Sequence, residues 1–522
     1  EELLDRLLAD PRVVEVGEGI YTTTELVERE RAILADAQRT AQAGIGLVDE
    51  RIVDRVLEAR AQEGRGLSAE QAAAVRTVAS SGRRVEVIEA FAGTGKTHTL
   101  GAIADVYRAA GYQVIGAAPT GRAARELAEV AGEARTLDGL AEALGRRGGF
   151  EAGRPVVVLN DEAGMNPTRT WAHLLDEARA EGVRVKWIAV GDSGQLQSVA
   201  AGGAFRALAQ ARPPIALTEV RRQRGRAHRA ALGALRVGRP AEFVAWKAAR
   251  GELRTGGLDE MAEASVAEWA RAQEDQGWGQ VALIARDNAL REELNLRARS
   301  VALERGWIGG EVVEVGEAER ARQFTPGDRI IARRNDRAID TENGTRGTVA
   351  AADPVARTLT VAADDGRRIV YPAEYLDQGL VEHAYALTGH TSQGATLERA
   401  PVVGRPSDFT AEWGYVAHSR ERVSSPTFLI AEARADAGRE DAGGLQTPVA
   451  SPAETITRYL AALGRSEAED LAVEAGEGGP ADADRRRHLE EAAQEVRERT
   501  VRAEAMGEGG PERPNRRRGF RL

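Results

Sequence analysis

The chain has 522 residues, 42% of them apolar and 29% charged, with a formal net charge of −10 and no cysteine. That length implies more than one hydrophobic core, and the lack of cysteine excludes disulfides, thiolate zinc sites and iron–sulfur clusters, which fits a reducing cytoplasm. The longest apolar runs, such as VVVL and WIAV, are too short to span a bilayer, so no membrane insertion is expected. The acidic balance argues against a protein that coats nucleic acid but leaves room for a narrow basic channel.

Taken in chain order, residues 1–66 read as helices and linker around a short β-like piece, with Thr22 and Glu25 as a capping box. The chain starts at Glu1, so a fragment or processed product is expected. Over 67–213 the runs RRVEVIEA, YQVIGAAP, RPVVVLND and RVKWIAVGD alternate with helical patterns. Each ends in small or polar residues, which predicts an α/β fold with a parallel sheet covered on both faces. A second α/β region occupies 214–310 and 379–430, with strands expected in QVALIARDN and PTFLIAEA. Between its halves, 311–378 alternates as antiparallel strands do, and Asp365-Gly366 is a hairpin signal, so a small inserted β-barrel is expected. The charged stretch 431–522 predicts one or two exposed helices and a disordered tail.

The run EAFAGTGKTHTL lies between the strand pattern VEVIEA and a helical pattern closed by Gly111. A strand, a glycine-rich loop and a helix N-terminus turn backbone N–H groups toward an anion. Gly93 and Gly95 permit the curl, Lys96 is placed to reach the β- and γ-phosphates, and Thr97 to hold Mg²⁺. Thr94 and His98 complete the contacting stretch. Ala90 stands where such loops carry their first glycine, a change that costs little if its φ is negative. VVVLNDEAGM ends a strand in Asp161-Glu162, suited to the magnesium and to polarising the attacking water, respectively. VKWIAV runs into GDSGQL, which sets Asp192 and Gln195 beside them.

Three later motifs, LTEVRRQ, ALTGHTSQGAT and YVAHSRER, follow in an order similar to that of one family. Over residues 10 to about 430 the chain resembles the superfamily 1 DNA helicases of the RecD-like branch, and most closely the helicase half of conjugative relaxases of the TraI/TrwC/TraA type. The resemblance implies two RecA-like P-loop lobes sandwiching ATP with Mg²⁺, single-stranded DNA crossing both, and movement from 5′ to 3′; it also implies relaxosome partners. Gln71 resembles the adenine-reading glutamine, although Ser68 with Gln71 also makes a capping box. Lys96 and Thr97 match the phosphate lysine and magnesium threonine, Asp161 and Glu162 the magnesium aspartate and catalytic base, and Gln195 the γ-phosphate sensor. Arg222 and Arg420 match the two arginines the second lobe adds. Pro119, Thr120, Gly121, Thr136, Thr391, Ser392 and Gln393 match DNA-contacting and coupling positions, and 311–378 with its NGTRG resembles an SH3-like insertion that grips the strand. Asp138 departs from the histidine common in that family. No His-x-His cluster of the kind a relaxase nuclease uses is present, so the chain is expected not to nick DNA. Trp307, Trp413, Tyr21, Tyr385 and Tyr415 read as packing residues. A RecD-like repair helicase subunit and an inactive single-strand-binding copy of the fold are the alternatives.

Overall fold

The computed structural model describes residues 9–467 apart from 18–19, 146–149, 152, 181–183, 199–202, 212–213, 317–320 and 434–448. The expected disordered tail beyond 467 lies outside the described residues.

The first lobe is a six-stranded parallel sheet in the order Ala134–Thr136, Gln113–Ala118, Val156–Asn160, Val185–Gly191, Val85–Ala90, Ile215–Leu217. Its four longer strands are the four apolar runs read from the sequence. They are continuous because both faces are buried: Val156 and Val158 face one core with Trp171 and Trp187, while Val157 and Leu159 face the other with Leu100 and Val106. The two three-residue edge strands carry too little pattern to read. Ile215–Leu217 pairs with Val85–Ala90 and so moves the lobe past the expected boundary at 213. Ala90 is the buried last residue of its strand, paired with Leu217, and is not among the described non-glycine residues with positive φ. Its methyl group therefore sits in the sheet rather than in the loop.

The N-terminal region, expected as helices and linker around a short β-like piece, holds the hairpin Val13–Gly17 with Ile20–Thr23 and packed helices. Helix Thr24–Arg39 buries Ile33 and Ala37 in the Trp171 core, and Arg60 of helix Glu50–Gln62 is ion-paired with Asp105. Thr23, not Thr22, caps the first of these helices, accepting from the Leu26 N–H at 3.3 Å. Thr22 is held in a hairpin opposite Val14.

The second lobe is a five-stranded parallel sheet ordered Ala386–Leu387, Leu283–Ala285, Val402–Gly404, Thr427–Ile430, Leu253–Gly256. Helix Pro452–Leu463, in the stretch expected to hold exposed helices, buries Tyr459, Leu460 and Leu463 in this lobe's core. Its apolar stripe, completed by Ile456, has helical spacing but is diluted by surrounding small and charged residues.

Between the halves of the second lobe stands a five-stranded antiparallel sheet ordered Arg368–Tyr371, Thr358–Ala363, Arg346–Asp353, Arg329–Ala332, Val381–His383. Gly366 turns the expected hairpin with φ 88°. The last strand lies beyond the expected boundary at 378, and the hairpin Val313–Val315 with Arg322–Phe324 packs on the same core. Where a barrel was expected, the ladder among the described residues is an open one.

Candidate active site

Four of the first lobe's strands deliver their C-terminal loops to one edge of the sheet, where ligands of open parallel sheets bind. The strand Val85–Ala90 feeds the loop Phe91–Gly95 and helix Lys96–Ala109. Gly93 and Gly95 both have φ 82°, a conformation that costs most side chains strain. A Cβ on Gly93 would lie 2.6 Å from Arg222 Cβ, and one on Gly95 would lie 2.7 Å from Gln71 Nε2. The glycines therefore give the curl and also allow two other segments to approach the loop. The open N-terminus of the helix adds free N–H groups and the positive end of its dipole.

Around this loop a cleft of about 220 Å³ is lined by Gly93, Gly95, Lys96, Thr97, Asp161, Glu162, Gln195, Arg222, Gln393 and Arg420, among others. Lys96 Nζ lies 3.7 Å from Glu162 Oε2. Glu162 holds φ 49°, a left-handed conformation rare for its type. The turn after it is pinned by the Met165 N–H donating to Glu162 O at 2.9 Å, and the Glu162 N–H donates to Asp161 Oδ1 at 2.9 Å. Burial, and then the Glu162 charge beside it, push the Asp161 carboxyl up to about 7. A divalent cation is the kind of group that reverses such a shift, so Asp161 with Thr97 fits a magnesium site.

Two arginines from outside the sheet complete the cleft. Arg222 follows the edge strand Ile215–Leu217; the Arg221 and Arg222 N–H groups donate to Gly93 O at 2.8 and 3.3 Å. Arg420 follows helix Ala411–His418 of the second lobe and donates to Gln195 Oε1 at 3.3 Å, while Gln195 Nε2 donates to Asp192 Oδ2 at 3.0 Å. Arg222 Nη1 donates to Ser419 O at 2.8 Å, so one arginine is tied to the segment that carries the other. Burial, and then the neighbouring Arg420 charge, pull the Arg222 guanidinium down to about 9; burial lowers Arg420 as well. Neither is ion-paired among the described residues. Two cations held together with no carboxylate in ion-pair contact are costly unless a ligand supplies an anion.

The family model described as an AAA domain matches residues 66–258. The chain is 32% identical over 428 residues to a probable conjugal transfer protein TraA of Sinorhizobium fredii, covering 80% of this chain and 37% of that protein. It is also 34% identical over 400 residues to the ATP-dependent RecD2 DNA helicase of Deinococcus radiodurans, covering 72% of this chain and 52% of the other. The chain is thus similar over most of its length to a conjugal transfer protein and to a RecD2 DNA helicase. It spans roughly a third to a half of the length of these curated relatives. Among solved structures, Bacteroides Pif1 bound to single-stranded DNA aligns with TM-score 0.45 and 19% identity, over 69% of this chain and 92% of that one.

Not every residue expected at the nucleotide lies in the cleft. Gln71 takes the capping role: its Oε1 accepts from the Ser68 N–H at 3.1 Å and its Nε2 donates to Thr94 O at 3.0 Å. Both ends of the amide are occupied, and the residue braces the phosphate loop from behind. His98 Nε2 lies 3.2 Å from Gly66 O, and Thr94 Oγ1 donates to Phe91 O at 2.9 Å; neither lines the cleft.

The residues expected at DNA separate into three groups. Pro119 and Thr120 line the nucleotide cleft with Gln393, whose two side-chain polar atoms are buried without a hydrogen-bond partner. Gly121 and Thr136 line a groove of about 810 Å³ between the first lobe and residues 335–342 of the antiparallel sheet. Thr391 closes a capping box with Thr388, and Ser392 donates to Gly389 O at 2.8 Å, so both are used within their own short helix.

Sequence reasoning missed a bridge between the lobes. Arg236, at the end of second-lobe helix Arg226–Arg236, donates to Asp192 Oδ1 at 2.8 Å, pairs with Glu89 and lies 4.3 Å over the Phe91 ring. Tyr415, read as a packing residue, also accepts from the Ala92 N–H at 3.2 Å, alongside Asp192 Oδ2 at 3.1 Å. No signal in the sequence separates Arg236 from an ordinary surface cation at a helix end.

Proposed function

We propose that the chain is an ATP-dependent DNA helicase that moves 5′ to 3′ on single-stranded DNA as the motor part of a conjugative relaxase, working in the cytoplasm with relaxosome proteins. The observation that carries this reading is the pair of arginines without ion pairs among the described residues, Arg420 buried and Arg222 part-buried, that line the cleft around the phosphate loop. In it, Lys96 and the loop N–H groups hold the β- and γ-phosphates, Gln195 senses the γ-phosphate, and Glu162 takes the proton of the attacking water. Thr97 and Asp161 would hold Mg²⁺, which when bound neutralises phosphate charge. Arg222 and Arg420 stabilise charge on the transferring phosphoryl group.

Because Arg420 belongs to the second lobe, hydrolysis requires the lobes to close, and Tyr415 and Arg236 carry that closure to the base of the loop. DNA held on both lobes is then stepped by each cycle of closing and opening. The antiparallel sheet serves as an SH3-like insertion that keeps the strand in its groove, and Pro119, Thr120, Gly121, Thr136, Thr391, Ser392 and Gln393 form the path that couples strand and nucleotide. Forked duplexes with one free tail test the direction. Unwinding is expected from a 5′ tail with ATP and Mg²⁺; unwinding from a 3′ tail alone contradicts the polarity.

A further inference from the structure

A second cavity, of about 310 Å³, lies where the first lobe, the second lobe and the antiparallel sheet meet, and its charges do not balance. Arg122 enters from helix Gly121–Ala131, Arg329 and Arg346 from two adjacent strands, and Trp278 forms a wall from the second lobe. Arg122 Nε donates to Glu126 Oε1 at 2.9 Å. Arg329 grips Asp364 with both nitrogens, at 2.8 and 2.7 Å, and donates to Thr348 Oγ1 at 2.9 Å. Those two cations are matched. Arg346 is not: its side chain is only 8% exposed, its Nε is buried without a hydrogen-bond partner, and its one ion pair among the described residues is a 3.9 Å approach to the Asp364 oxygen that Arg329 already holds.

A guanidinium offers five donors and cannot shed its charge in ordinary conditions. Leaving it unsatisfied in a polar cavity costs stability, and the cost is offset only when a ligand with several acceptor oxygens arrives. Arg122 and Arg329 beside it raise the local potential for an anion, and Asp364 limits the surplus to about one charge. Arg122 also borders the nucleotide cleft, so the two cavities share a wall.

We infer that Arg346, flanked by Arg122 and Arg329, is the seat of one phosphate group, and that its occupant is a backbone phosphodiester of the single strand. The inference rests on the reading that this chain binds single-stranded DNA, and it names the residue at which the antiparallel sheet and the first lobe hold the same phosphate. Because the seat and the nucleotide cleft share Arg122, a strand in the seat changes the charge that the cleft's own wall presents.

The test is the affinity of the full chain for an oligothymidylate across a salt series, for wild type, Arg346→Gln and Arg346→Lys, with the melting temperature of each. The glutamine variant should bind about tenfold more weakly at low salt, and its slope of log K against log salt should be shallower by about 0.7, the loss of one phosphate contact. The lysine variant should keep the slope and lose part of the affinity. Melting temperature should stay level or rise in the glutamine variant, whereas an arginine with a merely structural role would lower it. Unchanged affinity and slope overturn the seat. If the wild type binds no single strand, the functional reading fails by itself, and inorganic phosphate decides the seat separately. Phosphate that raises the melting temperature of the wild type more than that of Arg346→Gln supports an anion seat; equal shifts overturn it.

Discussion

The nucleotide cleft and the seam between the first lobe and the antiparallel sheet are both built on arginines, and they use them in opposite ways. Along the groove between lobe and sheet Arg125 and Arg367 have their anions: Arg125 pairs with Asp340 and Glu342, and Arg367 with Glu342, Asp340 and Asp365. Gly121 lets Glu342 come close, since a Cβ there would lie 2.9 Å from Glu342 Cγ. In the cleft, Arg222 and the deeply buried Arg420 have no ion pair among the described residues. Saturated arginines hold two parts of the molecule in place. Unsaturated ones, buried where a phosphate loop ends, mark where charge has still to arrive.

Breaking the cleft should have the largest effect. Lys96→Ala or Glu162→Gln should each lower ATP hydrolysis by roughly 10²–10⁴-fold while leaving single-strand affinity within about twofold, because both side chains face the phosphates. Steady-state hydrolysis and an oligonucleotide titration on the same preparations check this, and wild-type turnover by either variant would remove the assignment.

A smaller effect separates the metal site from the rest of the cleft. Asp161, pushed up to about 7 by burial beside Glu162, binds a proton below that pH, and the proton must leave before a cation is held. Binding of Mg²⁺ with a non-hydrolysable ATP analogue should therefore weaken as pH falls through about 7, approaching tenfold per unit, with proton release that grows toward acid. Calorimetry in two buffers of different ionisation enthalpy reads both; an affinity level from pH 6 to pH 8 would show that Asp161 gives up no proton to the cation in that range.

The smallest effect should come from the seam. Arg125→Ala removes a pair whose arginine is 38% exposed, so the expected loss is about 1 kcal/mol or less, reduced further by salt. Hydrolysis without DNA should not change. Thermal melting at low and high salt tests this, and a large, salt-independent loss would mean the seam is not mainly electrostatic.

What could be read from the sequence follows from how locally each feature is encoded. The four longer strands of the first sheet were legible because burial on both faces makes them continuous apolar runs, and the phosphate loop because strand, glycines and helix are contiguous. Ala134–Thr136 and Ile215–Leu217 were not, since three residues at a sheet edge carry no period. Gln71 had two readings with the same local pattern; its capping box with Ser68 is formed, and its contact with Thr94, 23 residues away, left no local mark. Arg222 and Arg420 were named through resemblance rather than chemistry; their lack of ion pairs among the described residues is a property of the folded chain. The bridge from Arg236 to Glu89 spans 147 residues and left no mark in either segment. The buried face of Pro452–Leu463 went unread because an alanine-rich helix resembles its exposed neighbours in composition.

The central claim is that Arg222 and Arg420 are cations awaiting a phosphate, in a site that DNA drives closed. Its most direct test is the rate of ATP hydrolysis by this chain with and without single-stranded DNA, for wild type and for Arg420→Ala, with melting temperatures measured alongside. The account predicts strong stimulation of the wild type by DNA and a loss of roughly 10³-fold or more in Arg420→Ala. The melting temperatures show that the variant still folds, so that the lost rate is read as a loss at the site. Hydrolysis indifferent to DNA, or a folded Arg420→Ala variant that turns over ATP at the wild-type rate, would contradict it.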